Sequence, residues 1–122
     1  MPVRVASKTD YAGTLSPAEL GTEYAVVDVG AQSDDYLIEG YIDLGALAEG
    51  DAVVLKEYIA VDGSTHRLFN KATLEGPLEV PVVRYHTKLL YKNVLYKLTL
   101  TQTKGTLRSF PYAFILQVLE VV

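Results

Sequence analysis

Wherever the hydrophobic pattern of this chain is regular, it alternates with a period of two. Glu23 to Val29 sets Ala25, Val27 and Val29 on one face. Tyr36 to Leu44 sets Tyr36, Ile38, Ile42 and Leu44 against Glu39, Tyr41 and Asp43. Gly40 falls on the apolar side, where a missing side chain allows a bulge or a close approach. Ala52 to Val61 carries Val53, Leu55, Ile59 and Val61 on one side. His66 to Leu74 and Val80 to Lys88 are two further extended runs, the second opening at Pro81, a residue suited to a strand start or a sheet edge. Tyr96, Leu98 and Leu100 then face one way, and Lys97, Thr99, Thr101 and Thr103 the other. Successive side chains leave a pleated backbone on opposite sides, so this alternation predicts half-buried strands.

The stretches between these runs are turn chemistry: Ser33-Asp34-Asp35, Glu49-Gly50-Asp51, Asp62-Gly63, Glu75-Gly76-Pro77 and Lys104-Gly105. Asp62-Gly63 is a strong hairpin signal. Leu89 to Asn93 reads as a connection, and Phe110-Pro111 as a bulge or edge segment. About seven or eight antiparallel strands at short, regular spacing predict an all-β domain, either a β-sandwich or a jelly-roll-like barrel. The weakly patterned first 21 residues read as an N-terminal arm, with residues 22–122 as the sandwich domain. Within the arm, Ser16-Pro17-Ala18-Glu19 predicts one capped helical turn.

The last strand breaks the pattern, because Ala113 to Leu119 is apolar on both faces. Phe114, Leu116 and Val118 align with Phe110 and Tyr112 and are assigned to the core. Ile115, Gln117 and Leu119, with Pro111, are left over. They are the predicted contact with a partner, since a bare apolar strand face is an aggregation hazard.

Composition narrows the class. The chain has 122 residues, of which 49% are hydrophobic, enough for one domain with its own core. Cysteine is absent, which excludes disulfides and thiolate metal sites. The sequence shows neither the apolar core of a signal peptide near Met1 nor a run approaching the ~20 residues of a membrane helix, so a soluble protein made in a cytoplasm is expected. Net charge is −4, but residues 1–63 carry −9 and residues 64–122 carry +5. Segregated halves would make a bipolar surface, the acidic side of one copy meeting the basic side of another. Interleaved strands would mix the charges, and this is the expected arrangement.

No catalytic frame is legible. His66 and His86 are the only histidines, on different predicted strands and without a carboxylate at ligand spacing, so no metal site is assigned. Asp34, Asp35, Asp51 and Asp62 lack a calcium-loop pattern and read as turn residues. There is no nucleophile motif, no glycine-rich phosphate loop and no recognisable carboxylate pair. Tyr85, Tyr91, Tyr96 and Tyr112 lie among Arg84, Lys88, Lys92, Lys97 and Arg108, the ingredients of a nucleic-acid stacking groove. The acidic net charge and the lack of a recognition motif argue against one. Sugar binding is weakened by the absence of tryptophan. The expectation is a protein with no cofactor, no metal, no nucleic-acid or membrane partner and no enzymatic activity.

Four phrases stand out in order along the chain: Gly40 to Leu44, Leu47 to Glu57, Tyr96 to Thr106, and Arg108 to Tyr112. Their sequence of "IDL", "GDAVVLKE", "LTQTKGT" and "RSFPY" resembles short all-β proteins of tailed phages, archaeal viruses and proviruses, over roughly residues 24–116. The resemblance implies a virion protein, and among these a capsid decoration (cement) protein. Such proteins are small sandwiches or jelly rolls bound to the major capsid protein on the capsid exterior, commonly as homotrimers. A tail, baseplate or head-fibre component that binds a receptor or glycan is the alternative, and a jelly-roll hydrolase a distant third.

Overall fold

The computed structural model describes residues 2–122. Eight strands follow one another: β1 (Val3–Leu15), β2 (Glu23–Val29), β3 (Tyr36–Asp43), β4 (Ala52–Ala60), β5 (Arg67–Glu75), β6 (Val82–Leu90), β7 (Leu95–Lys104) and β8 (Phe110–Val121). They form two four-stranded sheets, ordered β1-β8-β3-β6 and β2-β7-β4-β5, with every pairing antiparallel. In every hydrogen-bonded pair but β4–β5 the partners are separated in sequence by at least one other strand. Chain neighbours otherwise cross from one sheet to the other, which is the jelly-roll arrangement of a two-sheet sandwich.

The core lies between the sheets. Tyr36, Ile38 and Ile42 of β3 meet Phe110, Phe114, Leu116 and Val118 of β8 on one side, and Val53 and Leu55 of β4 meet Tyr96, Leu98 and Leu100 of β7 on the other. Gly40 faces inward as expected, and a Cβ there would overlap the Ala113 carbonyl oxygen and the Phe114 ring. The missing side chain is what lets β8 lie this close. The Tyr36 hydroxyl donates to the Val94 carbonyl at 2.5 Å, and burial pushes its pKa up to about 12. The turn glycines Gly63 and Gly105 take positive φ (81° and 88°), the region that L side chains avoid.

All four edge strands carry a register irregularity. On β1 it falls between Val5 and Ser7, on β2 between Ala25 and Val27. On β5 it lies opposite Glu57 and Tyr58, and on β6 opposite Ile38 and Gly40. In each case the edge strand holds the surplus residue.

The structure corrects several expectations. On β2 the shift buries Val26 beside Val27 and Val29 and turns Ala25 outward. Glu57 continues the inward row of Val53 and Leu55, and Val61 is in the hairpin turn, 75% exposed. Leu89 and Leu90 extend β6 rather than opening a loop, which their apolar side chains had signalled. Ser16 to Glu19 makes no helical turn: Ser16 Oγ bonds Ser109 Oγ at 2.8 Å, and Glu19 accepts from Thr22. The segment read as an arm runs as β1 along β8, from the Val3–Val121 pair to the Leu15–Phe110 pair.

Strands from both halves of the chain interleave. The β1-β8-β3-β6 strands carry four cations and four carboxylates, and the β2-β7-β4-β5 strands five and four. The acidic excess therefore lies in the connecting loops, with Asp34, Asp35, Glu49 and Glu79 among its carriers.

Candidate interaction surface

Every strand of a sandwich presents one face to the core and one to the outside, so the two outer faces are its broadest surfaces. The outer face of β1-β8-β3-β6 is built in rows set by register. Lys8, Gln117, Leu37 and Leu89 form one row. Asp10, Ile115 and Glu39 form the next, and Ala12, Ala113, Tyr41 and Arg84 the third. Most of these positions are apolar or small. Ile115 is 39% and Tyr41 47% exposed, and Val3, Val5, Val82 and Leu89 add further exposed apolar surface. Shallow hollows lie beside Tyr41, one against Ala113 and Ile115 and one against Pro111 and Val82.

The structure brings all four predicted contact residues onto this face. Pro111, Ile115, Gln117 and Leu119 sit on the outer side of β8, between β1 and β3, with Pro111 and Ile115 exposed and Gln117 and Leu119 half-buried. Phe114, Leu116 and Val118 point the other way and are buried, as the alternation required. The sequence reading missed Tyr41, Leu37 and Val82 as members of the same patch. The signal was present in their outward phase, but which strands lie beside β8 could not be read from spacing.

The outer face of β2-β7-β4-β5 is made differently. Thr99 accompanies Lys97 and Thr101 on the wet side of β7, yet it is only 1% exposed because Glu23 and Tyr58 cover it. Thr99 Oγ1 donates to Glu23 at 2.5 Å and the Tyr58 hydroxyl donates to the same carboxylate at 2.6 Å. Burial works against the ionised form of Glu23. The two hydroxyl bonds, with Lys56 and Lys97 nearby, outweigh it and hold the carboxyl below the usual range. Lys56 stands directly opposite Lys71 on β5, a like-charge pair.

Two buried polar clusters tie the sheets and loops together. Glu57, 3% exposed, accepts from Asn70 Nδ2 at 2.8 Å and from the Tyr96 hydroxyl, and Lys88 Nζ of β6 reaches it across the sandwich at 3.0 Å. Burial, and then the bond to Glu57, raises the Tyr96 pKa. The Lys88 ammonium also lies over the Tyr85 and Tyr96 rings. This clasp closes the side where β5 and β6 are both sheet edges. At one end, Asp51 accepts from the Ala48 N–H at 2.8 Å, from Arg108 Nε at 2.7 Å and from the Thr106 N–H at 3.0 Å. These bonds, the Ala48 N–H foremost, hold its carboxyl below the usual range. Buried Gln102 binds the Thr106 carbonyl and the Arg108 N–H. Both clusters are internally satisfied, and no buried polar side-chain atom among the described residues lacks a partner.

The remaining candidates do not converge. His66 lies in the loop before β5 and His86 is on β6. Among the described residues no group of three or more His, Asp or Glu side chains gathers as a metal set. Tyr85 and Tyr96 are in the core, which takes two of the four rings out of any stacking groove. Asp34, Asp51 and Asp62 all serve their own turns by accepting backbone N–H bonds.

The strand order and the two sheets define a jelly roll. No protein-family model and no curated protein matches the chain. Among solved structures, the T=1 particle derived from infectious bursal virus is similar, with a TM-score of 0.53, 12% identity, and coverage of 95% of this chain and 32% of the viral chain. The Gx strain of infectious bursal disease virus is similar with a TM-score of 0.50 and 12% identity, over 98% of this chain and 32% of that one. The chain thus spans about a third of the length of the viral chains it matches. At that identity the likeness is one of fold.

Proposed function

We propose that this protein is a structural component of a virion, and specifically a capsid decoration (cement) protein bound to the major capsid protein on the outside of the shell. The observation that carries the reading is a jelly roll whose β1-β8-β3-β6 outer face leaves Tyr41, Ile115, Val82 and Leu89 exposed, while the centre of the other outer face is satisfied within the chain. Such a face has to be covered to avoid adventitious association. The fold it shares with chains of virus particles supports a virion, and the phage-like phrases support decoration. The role is binding and structural, with no catalytic step. Synthesis in the host cytoplasm followed by docking on the capsid exterior fits a chain that buries its core without disulfides. Copies associate with one another: the resemblance implies a homotrimer, and the geometry of the apolar face is a separate guide to copy number.

The test is to mix the purified chain with undecorated shells, sediment them and image the particles. Binding to the outer shell surface is expected. A protein that stays monomeric in light scattering and does not sediment with shells overturns the reading. Density at a tail or fibre instead of the shell replaces it with the receptor-binding alternative.

A further inference from the structure

This inference rests on reading the β1-β8-β3-β6 outer face as a contact surface, and it names the occupant. We propose that a second copy of this chain covers the face in an isologous pair, with the two-fold axis running along the strands. That axis lays β8 of one copy over β3 of the other, and β1 over β6.

Register decides what then meets. Ala113 is the ladder partner of both Ala12 and Tyr41, and Tyr41 is the partner of Arg84. Across the axis, Tyr41 of each copy stands over Ala113 of the other, a large side chain over a small one. The hollow beside Tyr41, about 400 Å³ and bounded by Glu39, Gly40, Ala113 and Ile115, is the seat for the incoming ring. The margins complement each other as well. Asp10 on β1 comes to lie one row from Arg84 on β6 of the other copy. Its present partner is Lys8 at 3.5 Å, with both side chains more than half exposed, so that pair loosens at little cost. Each of these contacts occurs twice, which is the requirement of an isologous interface.

The extent of the face fits. Four strands about 4.8 Å apart and four outward rows about 6.8 Å apart make a patch of roughly 19 by 27 Å, so a pair removes roughly 1,000 Å² from water, the level that a specific interface clears. The centre of the opposite outer face offers no such match, because it holds the Glu23–Thr99–Tyr58 bonds and the Lys56–Lys71 repulsion.

The test uses the full chain in light scattering over a dilution series. A mass of two copies is expected. Tyr41→Ala should weaken the pair ~10-fold or more, as loss of a central aromatic anchor does. Ala113→Arg, at an exposed position, should give one-copy mass with an unchanged circular dichroism spectrum. Asp10→Arg and Arg84→Asp should each weaken pairing about 10-fold, and the double variant should regain most of the loss, because the swap restores both copies of the contact. A one-copy mass at every concentration, a three-copy mass, or a pair indifferent to Ala113→Arg and Tyr41→Ala overturns the proposal. Shell binding is read separately: a two-copy protein that ignores shells sinks the decoration reading alone, and a monomer or trimer that coats them sinks the pair alone.

Discussion

The two outer faces of this sandwich are built on the same backbone and end in opposite states. On β2-β7-β4-β5, Thr99 lies under Glu23 and Tyr58, and the carboxylate is satisfied by side chains of its own sheet. On β1-β8-β3-β6, Tyr41 and Ile115 project from adjacent rows, and nothing in the chain covers them. A polar outer face can be completed within one chain because hydrogen bonds are short and directional. An apolar one is completed only by another surface. The difference marks where the molecule is finished and where it is not.

The sharpest way to break this comparison is to compare the two sides of β8. Phe114→Ala should cost about 3–5 kcal/mol in urea unfolding, as a large core truncation does. Ile115→Ser on the outward side should cost less than about 1 kcal/mol at dilutions where the chain is alone. Similar losses at the two positions would mean that the outer face is already covered within the chain.

Next in size is the clasp. Glu57→Ala should lose about 2 kcal/mol, because it leaves the buried Tyr96 hydroxyl without a partner and the partly exposed Lys88 ammonium without its counter-ion. A loss under half of that would mean water fills the site.

The polar face is weaker. Glu23→Gln should cost about 1 kcal/mol at neutral pH by denaturant titration. The folded pKa of Glu23 is depressed, so its contribution is present above the unfolded carboxyl value of about 4.3 and is lost as pH falls through the lower folded value. The variant should therefore show a shallower loss of stability with acid over that window, and parallel curves would remove Glu23 from the account.

The smallest effect runs the other way. Lys71→Glu replaces repulsion with attraction opposite Lys56 and should stabilise by about 0.5 kcal/mol, a gain that fades in high salt.

Much of the fold was legible because period-two alternation reports directly on which side chains face the core. Tyr36, Ile38 and Ile42 on β3, and Phe114, Leu116 and Val118 on β8, were assigned correctly from phase alone. Gly40 was legible too, since a glycine in an apolar row has few other uses. What failed was local slippage. Val26 is buried because a bulge adds a residue to β2, and no residue type announces that position. Glu57 was passed over because a carboxylate does not suggest a core position, although it continues the phase of Val53 and Leu55. Its partners Asn70, Lys88 and Tyr96 come from three other strands, so the cluster exists only once the chain has folded. The contact face was half legible for the same reason. Ile115, Gln117 and Leu119 were visible as a surplus on β8, whereas Tyr41 and Ala12 join them through pairings between distant segments.

The bulges on β1, β2, β5 and β6 bear on how large any assembly can become. A sheet grows without limit when its border strand offers an unbroken ladder to the next molecule. Here each border strand spends one residue out of register, and the ladder it would present is interrupted and locally twisted. Polymerisation border to border is thereby disfavoured at all four margins. What is left is association through a face, which is used up once it is occupied, so the bulges favour particles of fixed copy number over fibres.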